Sequence, residues 1–273
     1  MEVSYYKEWF ESYTDQFLYQ DEIKDYPFIV KKKHTKRVCA MIDAICDDLD
    51  FSKHVRVREL AQIIALFHDL GRFEQYARYH TFKDSESVNH GIQSIKDLMR
   101  NQVLDNIPLR DRRIIFNAIR YHSVANIPLD KNAETLFYIR LIRDADKLDI
   151  WRIFIDYYHA RDIHQSQVIE LGVSDRPECS EKILDALMNG RIALISELKT
   201  LNDFKLIQLG WIYDLNFRFS FEHVKNENII EQFADMLPKT EKIQTIVNNL
   251  LKYRNAQIKN KSGMIYSFAE GLS

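Results

Sequence analysis

Apolar residues recur along most of this chain at steps of three and four, the spacing of one face of an α-helix. Tyr6, Phe10, Tyr13 and Phe17 follow that spacing and predict an aromatic amphipathic helix over about residues 3–20. Pro27 predicts a break before a second helix over about 29–49, where His34, Val38, Met41 and Ile45 step by helical intervals. A histidine therefore shares an apolar stripe. A third helix over about 55–70 carries Leu60, Ile63, Ile64 and Phe67, and Gly71 stands where a C-terminal cap is expected. The stretch Arg72 to Lys83 reads as irregular or as a short helix, after which Asp84 or Ser85 is placed to cap a helix running to about Arg100. Pro108 suits the first turn of a helix that carries Ile114, Ile115 and Ile119 up to His122. After a loop around Asn126, Ile127 and Pro128, a long helix is expected over about 131–160.

Residues 161–179 read as a loop containing Gly172 and Pro177. Further helices fill about 180–260, interrupted near Gly190, near Asn202 and at Pro238, and the tail from Lys259 is polar. There is no internal repeat, and no Gly-, Pro- or Ser-rich linker divides the chain, so 1–273 is expected to form a single helical domain.

Composition narrows the class. The chain has 7 glycines and 5 prolines, well below the usual shares of about 7% and 5%, and a turn-rich all-β fold is excluded. An apolar fraction of 46% excludes a disordered chain. No run of about 18 uncharged apolar residues is present, and no membrane partner is expected. With 38 basic against 40 acidic residues there is no overall electrostatic footprint for nucleic acid, and the Lys31-Lys32-Lys33 run reads as a solvated helix start. The first residues carry acid early and lack an apolar segment, unlike a signal peptide. Cys39, Cys46 and Cys179 form no C-x-x-C pair, which points to a reducing, cytoplasmic setting, with Cys39 and Cys46 as core fillers.

The candidate chemistry lies in histidines and aspartates at helix ends. There is no phosphate-binding G-x-x-x-x-G-K-[ST] loop, no G-x-S-x-G elbow and no H-E-x-x-H pair. His68-Asp69 closes the third predicted helix in Leu66-Phe67-His68-Asp69-Leu70-Gly71-Arg72. Asp144 and Asp146 lie in Ile142-Arg143-Asp144-Ala145-Asp146-Lys147-Leu148-Asp149, and His90 and His122 fall between. A carboxylate at the end of an apolar helix is costly to bury unless it is paired or bound to a cation. Imidazole together with carboxylate suits Zn, Mn and Fe. Polar residues on core-facing stripes of different helices can converge inside a bundle, as in di-metal carboxylate proteins. Any one of these histidines reads alone as a satisfied core or surface residue; their ordered set points to metal.

The ordered pattern His34, His68-Asp69, Asp146 resembles the HD superfamily of metal-dependent phosphohydrolases over about residues 30–160. The resemblance implies an all-α HD bundle, its core at about 28–160, with a helical extension at about 180–260. It also implies two divalent transition-metal ions, Fe, Mn or Zn. One ion would take His34, His68, Asp69 and Asp146, the other Asp69, His90 and His122, with Asp69 bridging. Asp146 matches the family's Ala-Asp-Lys-Leu context, and Asp144 is the alternative. A single ion, with His90 and His122 facing substrate, is the other layout. Asp69, Arg72 and Glu74 are the expected catalytic residues, Glu74 as proton donor to the leaving oxygen. Arg72, Arg143, Lys147 and His80 are the expected substrate contacts, although Arg143 and Lys147 read equally as surface cations pairing with Asp144 or Asp149. The implied activity is hydrolysis of a nucleotide or other small-molecule phosphate ester through a metal-bridging hydroxide. A di-iron oxygenase and a non-catalytic ligand-sensing module are the competing readings.

Overall fold

Every regular element of the computed structural model, which describes residues 2–128, 130–160 and 173–260, is a helix. The one extended pairing among the described residues is an isolated parallel bridge between Ser174 and Thr200. The fold is all-α, as the low glycine and proline content predicts. The described chain forms two compact units, one ending at Asp149 and the other starting at Ile150.

The first unit contains α1 (Val3–Asp15), α2 (Glu22–Asp48), α3 (Val55–Phe67), α4 (Gly71–Tyr79), α5 (His90–Arg100), α6 (Leu109–Tyr121) and α7 (Ala133–Ala160) as far as Asp149. α3 is charged in its first turns at Arg56, Arg58 and Glu59 and buried all round from Leu60 to Phe67, where Gln62 is the one polar side chain. α1 lays Tyr6 and Trp9 edge-on against Phe67, with ring centroids 6.2 and 5.8 Å away, and Phe10 against Phe73. α1 ends earlier than predicted, but Phe17 beyond its end still stacks on Phe28.

Three boundaries differ from the sequence expectation. Pro27 lies inside α2 rather than before it, because the Asp21 carboxylate caps the helix by accepting from the Ile23 and Lys24 amides at 3.1 Å. So near a helix start, proline removes one internal hydrogen bond without ending the helix. α5 starts at His90, capped by Asn89 Oδ1 on the Ile92 amide at 2.9 Å, while Asp84 and Ser85 belong to a short 3₁₀ turn. Gly71 caps nothing. It opens α4 and donates its amide to Ser94 Oγ at 2.7 Å. A Cβ on Gly71 would stand 2.4 Å from the His90 carbonyl oxygen and 2.5 Å from the Ser94 nitrogen, both backbone atoms of α5. Glycine is required there by the closeness of α4 to α5. Gly71→Ala is expected to destabilise the protein by about 1–3 kcal/mol, the usual scale of overpacking, read as a lowered denaturant midpoint.

The second unit continues along α7 from Ile150 and adds α8 (Glu181–Met188), α9 (Leu201–Gly210), α10 (Arg218–Asn226), α11 (Ile229–Asp235) and α12 (Glu241–Lys259). Trp151 donates its indole N–H to the Gln208 carbonyl at 3.0 Å, and Phe154 meets Phe204 edge-on at 5.1 Å. The predicted interruptions appear as a left-handed Gly190 (φ 66°), a Thr200–Asp203 capping box at the start of α9 and the Pro238 turn before α12. No described helix is long and apolar enough to cross a membrane. The expected loop over 161–172 and the polar tail beyond 260 lie outside the described residues. Cys39 and Cys46 are buried in α2, and burial pushes both thiols up to about 12.

Candidate metal centre

All six residues of the predicted ligand set belong to the first unit and converge there as two triads, His34–His68–Asp146 and Asp69–His90–His122. Each triad offers three ligand atoms lying within 4.8 Å of one another. α2 brings His34, the turn after α3 brings His68 and Asp69, α5 opens on His90, His122 follows α6, and α7 brings Asp146. Asp69 stands between the triads. Its Oδ2 is 3.6 Å from His34 Nε2 and 3.8 Å from His68 Nε2, while its Oδ1 is 3.4 Å from His90 Nε2 and 3.8 Å from His122 Nε2. Asp146 Oδ1 lies 3.1 Å from His34 Nε2 and 3.6 Å from His68 Nε2.

The far side of each imidazole fixes its tautomer. His68 Nδ1 donates to the Ala65 carbonyl and His122 Nδ1 to the Ile119 carbonyl, both at 2.7 Å, and a carbonyl can only accept. His34 Nδ1 donates to Asp149 Oδ2 at 2.7 Å, and His90 Nδ1 to Asp84 Oδ2 at 2.7 Å. Arg37 in turn holds Asp149, and Arg72 and Gln75 hold Asp84, each through a 3.0 Å bond in the latter case. In the neutral rings every Nε2 is therefore left with a lone pair. These lone pairs converge, His34 on His68 at 3.3 Å and His90 on His122 at 3.0 Å. About 3 Å is the separation of two nitrogens that each sit about 2.1 Å from one ion at a right angle. A set of acceptors facing one another beside two carboxylates is satisfied by cations, so the donor chemistry fits divalent metal, with orienting partners of the kind metal-bound histidines have.

The local charges are set to match. Burial opposes ionisation of Asp69, yet Lys31, His68, Arg72 and His90 together hold its carboxyl well below the usual carboxylate range. Burial likewise opposes ionisation of Asp146, and hydrogen bonds with His34 and His68 hold it well below that range. Burial and Arg72 lower His90; burial, His90 and His68 press His122 down to about 3, keeping it neutral. His34 is raised in spite of burial by Asp146 and Asp149, the excess of acceptors acting on a proton.

The other predicted residues divide. Arg72 adjoins the centre, with Nε 3.5 Å from Asp69 Oδ1, while its Nη1 holds the Phe82 carbonyl at 2.5 Å and Asp84 at 3.0 Å. Arg143 is buried and donates to the carbonyls of Tyr121, His122 and Val124 at 2.7–3.1 Å, so it fastens the end of α6 instead of reaching an open substrate space. Lys147 is buried and donates to the Arg143 carbonyl at 3.4 Å. His80 is exposed in a left-handed conformation at the end of α4, beside Tyr76. Asp144 is fully buried but belongs to neither triad. Asp149, expected opposite Arg143 or Lys147, pairs with His34 and Arg37 because it lies three residues beyond Asp146 on the same helix face.

Glu74 does not join the centre. Its carboxylate accepts from Gln93 at 2.8 Å and Arg100 at 3.1 Å and pairs with Arg78, which with Asp97 as its neighbour makes a separate buried cluster. Burial and the Glu74 carboxylate push Asp97 up to about 7, while Glu74 itself, against burial, is lowered by Asp97 and Arg100. Glu74 is thus held as the ionised partner of the pair, outside both triads. A protonated Asp97 donates to the Glu74 carboxylate beside it, the hydrogen bond that lowers Glu74 and raises Asp97. The folded protein holds that proton where the unfolded chain, with an aspartate near 3.9, has lost it. Stability should therefore fall as pH rises from about 4 through about 7. Thermal unfolding followed from pH 5 to 8 should show this fall, and Asp97→Asn should flatten it.

Sequence reasoning missed Lys31, whose ammonium lies 2.7 Å from Asp69 Oδ2. The available signal was its position three residues before His34, on the same helix face. Asp84, expected to cap a helix, instead orients the His90 ring from six residues before it.

Residues 32–151 match the HD domain, a domain typical of metal-dependent phosphohydrolases. The match spans both triads and the intervening helices. No curated protein and no solved structure matches the chain significantly.

Proposed function

We propose, from the premise that residues 32–151 are an HD domain, that the protein is a metal-dependent phosphohydrolase acting on a small-molecule phosphate ester of the nucleotide kind. The observation that carries this reading is Asp69, whose two oxygens face two separate histidine groups. His34, His68, Asp69 and Asp146 would hold one divalent cation and Asp69, His90 and His122 a second. When bound, such a pair supplies Lewis acidity toward the phosphate and the attacking water. The chain's own residues prepare the site. Asp149 and Asp84 keep the His34 and His90 rings turned inward with Nε2 deprotonated. Burial of all four imidazoles excludes bulk water from their Nε2 atoms. Arg72 and Lys31 place positive charge at Asp69 beside Phe82, which would attract the phosphate oxygens of a bound ester.

Elemental analysis of the purified protein, followed by a phosphate-ester panel with Mn²⁺, Fe²⁺ and Zn²⁺, tests the reading. Two equivalents of metal with release of inorganic phosphate is the expected result. Oxygen consumption by an iron-loaded protein that releases no phosphate would replace hydrolysis by oxygenation, and metal binding without turnover would leave a sensing module. The two aspartates of α7 separate in the same assay. Asp146→Asn is expected to lose metal, and Asp144→Asn to keep most of it.

A further inference from the structure

Arg72 and the four imidazoles around Asp69 are held by fixed partners. Lys31 is different. Its hydrogen bond among the described residues goes to Asp69 Oδ2 alone, at 2.7 Å, and its side chain is 18% exposed. That oxygen is the one facing His34 and His68. An ammonium and a divalent cation in the first triad would therefore share one carboxylate oxygen at close range, where two positive charges repel. Lys31 Nζ lies over the Phe82 ring, 5.5 Å from its centroid, and Arg72 Cζ lies 5.9 Å from the same centroid. Arg72 cannot swing, since its Nη1 is held by Gln75, Asp84 and the Phe82 carbonyl. Lysine is a compact charge on a flexible four-carbon stem and can turn about that stem while Arg72 stays.

Resting on the functional reading above, we propose that Lys31 is a resident cation: it neutralises Asp69 in the metal-free protein, yields Asp69 Oδ2 to a divalent ion, and then serves as a binding group for the substrate's phosphate beside Arg72. The displacement is an exchange of partners, with no bond made or broken covalently. Lys31 thus sets metal affinity and phosphate affinity in opposite directions. Without it the carboxylate is more open to metal, but the loaded site has lost one of two cations for the dianion.

Calorimetric titration of Mn²⁺ into metal-stripped wild type, Lys31→Met and Lys31→Arg tests the exchange, followed by titration of inorganic phosphate into each Mn²⁺-loaded protein. Lys31→Met should bind Mn²⁺ roughly tenfold more tightly at unchanged stoichiometry and phosphate roughly tenfold more weakly, the effect of one charge gained or lost at a partly buried site. Lys31→Arg should stay near wild type for both. Thermal unfolding gives a second readout, in which added Mn²⁺ raises the Tm of Lys31→Met more than that of wild type. Equal or weaker Mn²⁺ binding in Lys31→Met, with normal binding in wild type, overturns the exchange alone. Unchanged phosphate binding overturns the phosphate role. Absence of Mn²⁺ binding in wild type overturns the functional reading and this proposal with it.

Discussion

Asp69→Ala is expected to remove both metals at once and to lower hydrolysis by roughly four orders of magnitude, the scale on which loss of a member of a catalytic unit is felt. Each of the other five residues belongs to one triad, whereas Asp69 directs Oδ2 to His34 and His68 and Oδ1 to His90 and His122. Removing the carboxylate takes the anionic member from the second triad, leaving His90 and His122 with no acidic ligand among the described residues. It leaves His34, His68 and Asp146 in the first triad, with the Lys31 ammonium close by and without its partner. Helix content should barely change, since Asp69 sits in the turn between α3 and α4 and supports neither helix through a side-chain cap. Asp69→Asn keeps the shape and tests the charge alone; it too should lose most metal. Elemental analysis, circular dichroism and phosphate release on the same preparations check the result. Full metal retention in both variants would sink the assignment.

Why the ligands were legible in the sequence and their partners were not has a physical answer. His34 and Asp146 interrupt otherwise apolar helix stripes, and a polar group on a core-facing stripe must be accounted for by something in the core. Such interruptions are local and can be counted along one helix. The partners of the ligands are tertiary facts. Asp84 reaches His90 only because the chain after α4 folds back through a 3₁₀ turn, and Asp149 reaches His34 from a residue 115 positions away. Gly71 shows the same limit: its neighbours identify a helix end, but the need for glycine comes from the α5 backbone, which periodicity cannot see. Charged residues are the least legible of all, because one spacing serves a solvated face and a buried contact alike. Arg143 and Lys147 share a helix face with the sequence spacing of a phosphate-binding pair, yet both are buried, and Arg143 is spent on the carbonyls ending α6. Lys31 stood in a run of lysines that reads as solvated, and only its placement over Phe82 and against Asp69 distinguishes it from Lys32, which pairs with Glu11 and Asp15 on α1.

His90→Ala and His122→Ala are expected to lower metal stoichiometry from two toward one, whereas His34→Ala should damage the other position. The argument is the division of the imidazoles. His90 and His122 approach each other at 3.0 Å through Nε2 and meet Asp69 Oδ1, while Asp146 stands with His34 and His68. Removing either ring from the second triad leaves two ligands there and all of the first. Asp84→Asn should weaken the same position by roughly 10–100-fold, since a neutral amide holds the His90 Nδ1 proton less firmly than a carboxylate. On the proposed two-ion reading, hydrolysis should fall steeply in His34→Ala, His90→Ala and His122→Ala alike, because each variant would leave one of the two ion positions short of a ligand. Stoichiometry and activity therefore part company: the three variants share a loss of turnover but differ in which metal they lose. One metal per wild-type chain, unchanged in His90→Ala and His122→Ala under metal-replete conditions, would reduce the second triad to a substrate contact and leave a mononuclear centre on His34, His68, Asp69 and Asp146.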